Sequence, residues 1–140
     1  MEKSSIKLTN YELVQAVDKI KKYADKRFPQ KIAYAIIKDT SALVSAYKDY
    51  MQQLNKLFDS YKEHTEHDEK GNPKLNRNGI PVVDEDVKEQ FFAEINELLN
   101  IQLDIEVYKI SEELFDYDDC GGRYDVMTPS DLEFLQLLLT

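Results

Sequence analysis

The stretch QKIAYAIIKDTSALVSAYKDYMQQLNKLFDSYKEHTE, Gln30 to Glu66, decides the fold. Apolar residues recur there at Ile32, Ile36, Leu43, Tyr47, Tyr50, Leu54, Leu57 and Tyr61. Steps of three and four, or their sums, trace one stripe along a helix. At about 1.5 Å per residue that helix is on the order of 55 Å long, against roughly 11–12 residues for an ordinary globular helix. A stripe of this length needs a partner. Val87, Phe91, Ile95 and Leu98/Leu99 repeat the pattern after a polar break, which predicts a long antiparallel helical hairpin. Ala33, Ala35 and Ala42 permit a close approach in its first half.

Upstream, Ser4–Leu8 reads as a short strand with Ile6 and Leu8 on one face. Thr9 and Glu12 have the spacing of a capping box, with Asn10 as a competing cap. Leu13, Val14, Val17, Ile20 and Ala24 follow as the stripe of a first helix. It ends at Arg27-Phe28-Pro29, because the residue before proline is pushed out of the helical region.

Downstream, residues 67–84 form a turn-rich insert between the two long helices. Lys70-Gly71-Asn72-Pro73 and Asn76-Arg77-Asn78-Gly79 carry turn chemistry, and Lys74-Leu75 can pair with Ile80–Val83 as a small hairpin. A loop at the tip of the helical hairpin is the other reading. After the second long helix, Ile101, Leu103, Ile105 and Val107 alternate with polar neighbours, predicting a half-buried strand that pairs with Ser4–Leu8. Ser111–Tyr117 reads as one helical turn. Thr128-Pro129-Ser130-Asp131 then supplies a cap, a proline at the first helical position and an acid in the first turn. These open a C-terminal helix with Leu132, Leu135, Leu138 and Leu139. The expected fold is mainly α with a minor β element, in a single domain spanning 1–140: a helical hairpin, extra N- and C-terminal helices and a small sheet.

The chain has 18 basic and 27 acidic residues and a formal net charge of −9. Binding of a phosphate backbone needs a positive surface, so direct nucleic-acid binding is disfavoured. The charge keeps neighbouring copies apart, or meets a basic partner. No apolar run suggests a signal peptide or a membrane span. The single cysteine, Cys120, fits a reducing cytoplasm.

Few residues suggest chemistry. His64 and His67 share a helical face with acids nearby, but no cysteine or third histidine joins them as metal ligands. The loop Asp116–Gly122 has the acids of a calcium loop without its closing glutamate, since the twelfth position is Met127. Cys120 has no base beside it in sequence and is flanked by acids, so it is not expected to serve as a nucleophile. No phosphate loop, nucleophile elbow or zinc-protease helix is present. The expectation is a non-enzyme with no cofactor and no metal. The aromatic end of the long stripe, with Tyr47, Tyr50, Phe58 and Tyr61, is core or half-exposed packing, or else a surface for a protein partner. The C-terminal helix, through Leu135 and Leu138, offers the same choice, and both faces invite a homodimer.

The segments Lys7-Leu8-Thr9-Asn10-Tyr11-Glu12-Leu13 and Lys31-Ile32-Ala33-Tyr34-Ala35-Ile36-Ile37-Lys38 resemble an uncharacterised family of small phage and prophage proteins of Gram-positive bacteria. So do Glu94–Asn100 running into the alternating strand, the Gly/Asn-rich insert, and the closing Thr128-Pro129-Ser130-Asp131-Leu132-Glu133. The resemblance spans nearly the whole chain on caps, stripe and strand; Cys120-Gly121-Gly122 is extra to the pattern. It implies a phage origin and action in the cytoplasm of a bacterial host or in the virion. No site residue comes with it. The expected role is a phage accessory protein that binds a host or phage protein and modulates it, a host-defence component being one such target. A virion or tail-assembly component or chaperone is the alternative, and a small enzyme or nucleotide-binding protein the next.

Overall fold

The computed structural model describes residues 2–139, with side chains to Gln136. Its elements in chain order are β1 (Glu2–Thr9), α1 (Asn10–Ile20), α2 (Gln30–Ser60), α3 (Glu85–Leu99), β2 (Gln102–Lys109) and α4 (Pro129–Leu139). Helix dominates, and the fold is mainly α with one small sheet. The chain divides into two compact units, Met1–Tyr47 with Gln102–Thr140, and Lys48–Ile101.

In the first unit β1 and β2 pair antiparallel, with Ile6 opposite Ile105, Leu8 opposite Leu103 and Ser4 opposite Val107. Residues opposite one another share a face, and Leu8, Ile105 and Val107 of this face are buried. On the other face Lys3 Nζ lies 5.2 Å from the centre of the Tyr108 ring. The expected capping box is present at the start of α1. Thr9 Oγ1 accepts from the Glu12 amide at 3.2 Å, and Glu12 Oε1 accepts from the Thr9 amide at 3.1 Å. Leu13, Val17 and Ile20 of α1 meet Ile32, Ala35, Ile36 and Leu43 of α2 in one core with the sheet, Phe115 and Leu135. The methyl of Ala35 is wholly buried, as a close helix approach requires.

In the second unit the end of α2 forms a helical hairpin with α3. Leu54, Leu57 and Phe58 pack on a core of Tyr61, Val83, Phe91 and Ile95. Phe91 is its centre, with ring contacts to Phe58, Tyr61 and Phe92 at 5.9, 4.9 and 5.5 Å. The long helix stops at Ser60, six residues before the expected end at Glu66. Thr65 Oγ1 takes the Tyr61 carbonyl at 2.9 Å, and the backbone at Thr65 is already extended.

The insert is ordered by two turns of one kind, eight residues apart. Asp68 Oδ1 accepts from the amides of Lys70 and Asn72, and Asn76 Oδ1 accepts from those of Asn78 and Ile80. Gly71 and Gly79 supply the positive φ, +82° and +76°, that each turn needs. Between them runs a closed ring of three backbone hydrogen bonds, each 2.9 Å: Glu66 N–H to the Val82 carbonyl, Val82 N–H to Lys74, and Lys74 N–H back to Glu66. Lys74-Leu75 and Ile80–Val83 do pair, as expected, but as isolated bridges with a third pass at Thr65–His67.

Candidate functional site

The first unit contains an open groove of about 660 Å³ built by residues 112–136. A single 3-10 turn, Glu112–Phe115, buries Phe115 and leaves Glu112 outside. The chain then runs through the acidic loop. Asp118 Oδ1 accepts from the Cys120 amide at 2.8 Å, and Asp119 Oδ1 from the Gly121 amide at 3.3 Å. The Asp119 carbonyl accepts from Gly122 and Tyr124. Cys120 sits at φ +52° and is exposed.

Three hydrogen bonds pin the far side of this loop. The Arg27 amide donates to Asp125 Oδ2 at 2.6 Å while the Asp125 amide donates to the Arg27 carbonyl at 2.7 Å. The Tyr117 hydroxyl donates to the Asp125 carbonyl. Burial, then the charges of Asp125 and Asp131, push the Tyr117 phenol above its ordinary value and keep it a donor. The result is a fixed concavity. Phe115, Met127 and Leu132 form its floor, Val126 stands 68% exposed at one side, and Glu112, Asp116 and Asp119 stand on the rim.

At the start of α4 Asp131 closes a second capping box. Its amide donates to Thr128 Oγ1 at 3.1 Å, and its Oδ2 accepts from the Thr128 amide at 3.0 Å. The same buried carboxylate accepts from the Tyr23 hydroxyl at 2.9 Å and pairs with Lys26 Nζ at 3.4 Å. Burial alone would raise its pKa. The Thr128 amide, the Tyr23 and Thr128 hydroxyls and Lys26 outweigh that and hold it below the usual value. Burial and the Asp131 hydrogen bond push the Tyr23 phenol up. This cluster joins α4 to the segment that connects α1 and α2. Beside it lies a smaller apolar cleft of about 260 Å³, lined by Tyr23, Phe28, Ala33, Ile36 and Ile37.

The positions singled out as a protein-binding surface lie mostly in the interior. Leu135 is wholly buried, and Tyr50 and Tyr61 are buried. Phe58 packs on the second core and Tyr47 on the first. The side chain of Leu138 lies outside the described residues. The physical reason is that the stripe is closed by α3 and by the sheet, and tyrosine satisfies its hydroxyl while its ring is covered. Tyr61 does this by donating to Glu94 Oε2 at 2.6 Å, and that bond, then burial and the Glu94 charge, push its pKa up to about 12.

His64 Nδ1 lies 3.7 Å from Asp84 Oδ2 at the foot of α3. Among the described residues no group of three or more His, Cys, Asp or Glu is arranged to hold a metal ion. No helix among them is long and apolar enough to cross a membrane.

Two features went unread in the sequence although a signal existed. Asp39 is 1% exposed, in the core. The apolar stripe jumps seven positions from Ile36 to Leu43, and the missing inward position is Asp39. The groove was signalled by charge: residues 112–136 hold eight acids against one base, Arg123, and so carry −7 of the chain's −9. The chain matches no protein-family model, no curated protein and no solved structure.

Proposed function

We propose that this chain is a non-enzymatic phage accessory protein that binds a host or phage protein and modulates it, a component of host defence being one class of target. The observation that carries the binding reading is the groove beside α4. Its floor is apolar, its walls are fixed by backbone hydrogen bonds, and among the described residues no ion pair engages its carboxylates. A concavity of about 660 Å³ falls within the range, roughly 300–1,000 Å³, in which proteins seat ligands and anchoring side chains. The phage setting is supported by the resemblance of the caps, stripe and strand to the phage and prophage family. In that setting the protein acts inside the bacterial cell.

Affinity capture of the tagged chain from cells infected with a phage encoding it tests the reading. A partner at near one-to-one stoichiometry is the expected result, lost on Val126→Asp and Leu132→Asp, which place charge on the groove. Capture of no stoichiometric partner sinks the proposal. Recovery of the chain chiefly in purified virions replaces the modulator by an assembly component.

A further inference from the structure

We propose that the groove beside α4 docks a basic segment of the partner protein, seating an arginine or lysine among Glu112, Asp116 and Asp119 and an adjoining apolar side chain on the floor. This rests on the protein-binding reading and names the chemistry of the partner.

Charge complementarity carries it. The segment that builds the groove holds most of the net charge of the molecule and a single base, Arg123, and two neighbouring cations are taken up by acids of the segment that lie off the rim. Lys26 pairs with Asp131 and Arg27 with Asp125. The Arg123 guanidinium lies over the Tyr124 ring, 5.4 Å from its centre. Among the described residues no ion pair engages Glu112, Asp116 or Asp119. Three like charges held around one opening repel one another, and an incoming cation relieves that cost while gaining attraction. Arginine suits the rim best, because its planar fork donates two parallel hydrogen bonds to a carboxylate and has donors left for a neighbour. The floor sets the second requirement. Phe115 is buried, Met127 and Leu132 are half-buried, and the exposed methyls of Val126 stand beside them. Such a floor gains from covering by an apolar side chain but not by a polyanion or a plain polycation.

The test uses the full chain and fluorescence anisotropy at physiological ionic strength. The probes are a short fluorescein-labelled peptide alternating arginine and leucine, its glutamate–leucine counterpart and its arginine–serine counterpart. The arginine–leucine peptide is expected to bind most tightly. Glu112→Gln/Asp116→Asn/Asp119→Asn should weaken it about tenfold, as three part-exposed charge contacts are worth together. The control Glu63→Gln/Glu89→Gln/Glu97→Gln removes the same charge from exposed positions of the other unit, and should change it no more than about twofold. Val126→Ser should weaken the arginine–leucine peptide several-fold and leave the arginine–serine peptide unchanged. Unaltered circular dichroism and melting of each variant keep the comparison about binding.

Equal loss in the rim and control variants would overturn the proposal in favour of diffuse charge attraction. No binding of the arginine–leucine peptide by the native chain overturns it too. Preferred binding of the glutamate–leucine peptide, abolished by Val126→Ser, refutes the basic partner while leaving the groove as a docking site. A second copy is the rival occupant, since Lys19, Lys21 and Lys22 crowd the end of α1. A chain that sediments as a dimer, and as a monomer with the rim neutralised, assigns the groove to self-association instead.

Discussion

Asp39 Oδ1 on α2 accepts a hydrogen bond from the Tyr108 amide of β2 at 2.7 Å. The amide points away from β1, so the carboxyl group serves the outer edge of the sheet. Its other oxygen is buried and has no hydrogen-bond partner among the described residues. Burial pushes the group up to about 6, against opposing effects from the Tyr108 amide and the charge of Lys109. One acid thus both joins α2 to the sheet and carries a cost when ionised.

That cost predicts a pH dependence. The folded-state value lies above that of the unfolded chain, so the contribution of Asp39 to stability is complete below the ordinary 3.8 and is lost as pH rises through about 6. Asp39→Asn, which mimics the neutral acid, should be more stable than the native chain at pH 7.5 and similar near pH 4. The difference is bounded at about 3 kcal/mol. Urea denaturation at both pH values measures it, and a difference independent of pH refutes the assignment.

Asp131 has the opposite sign. Its folded-state pKa is lowered, so its contribution is present above the ordinary aspartate value and is lost as pH falls through the folded value. Asp131→Ala leaves the Tyr23 hydroxyl and Lys26 without their partner and removes the reciprocal half of the capping box of α4, at a cost on the order of 3 kcal/mol. Asp131→Asn keeps one of the two acceptor oxygens and should lose less, about 1–2 kcal/mol. Thermal melts at pH 7 rank the two, and an Asn variant as damaged as the Ala variant means that charge, rather than hydrogen bonding, holds the cluster.

Truncation of Phe91 should report on the two units separately. Phe91 is wholly buried among three rings, and Phe91→Ala should cost about 3–5 kcal/mol. Amide hydrogen exchange should accelerate across 85–99 while Gln102–Lys109 keeps its protection, because β2 belongs to the other core. Equal acceleration in both would show that the units unfold as one.

The insert offers a local test. At Gly79, φ +76°, an added Cβ meets no atom within 4 Å, so Gly79→Ala costs only the left-handed backbone, about 1–2 kcal/mol. Asn76→Ala removes the one side-chain oxygen that accepts two hydrogen bonds in the same turn. Both should speed exchange at the Lys74 and Val82 amides of the three-bond ring without moving the global melt. Unchanged exchange there means that the ring stands without its turn.

The local elements were legible because each is encoded by residues three or four positions apart. Thr9 and Glu12 predict a cap that needs only one turn of backbone, and the alternation from Ile101 to Val107 predicts one strand with one buried face. The pairing with Ser4–Leu8 followed, since two half-apolar strands each need an edge to satisfy. The end of α2 was misplaced for a related reason. Helical spacing continues through Tyr61, but the ring at Glu66, Lys74 and Val82 captures the backbone that would have propagated the helix, and those residues lie far apart in sequence.

By itself, then, the sequence determined a mainly helical chain, its caps, its two long stripes and the concentration of charge at 112–136. Only the tertiary structure decided which polar groups those stripes enclose. It placed Asp39 against the Tyr108 amide and Asp131 beneath Tyr23, and it made Tyr61 an interior residue through Glu94. It also gathered Glu112, Asp116 and Asp119 around an apolar floor instead of leaving them dispersed on a solvated loop. Near neighbours fix backbone conformation through sterics and local hydrogen bonds. Burial, by contrast, is a property of chain segments brought together from a distance, and it sets both the pKa of a buried acid and the shape of a groove.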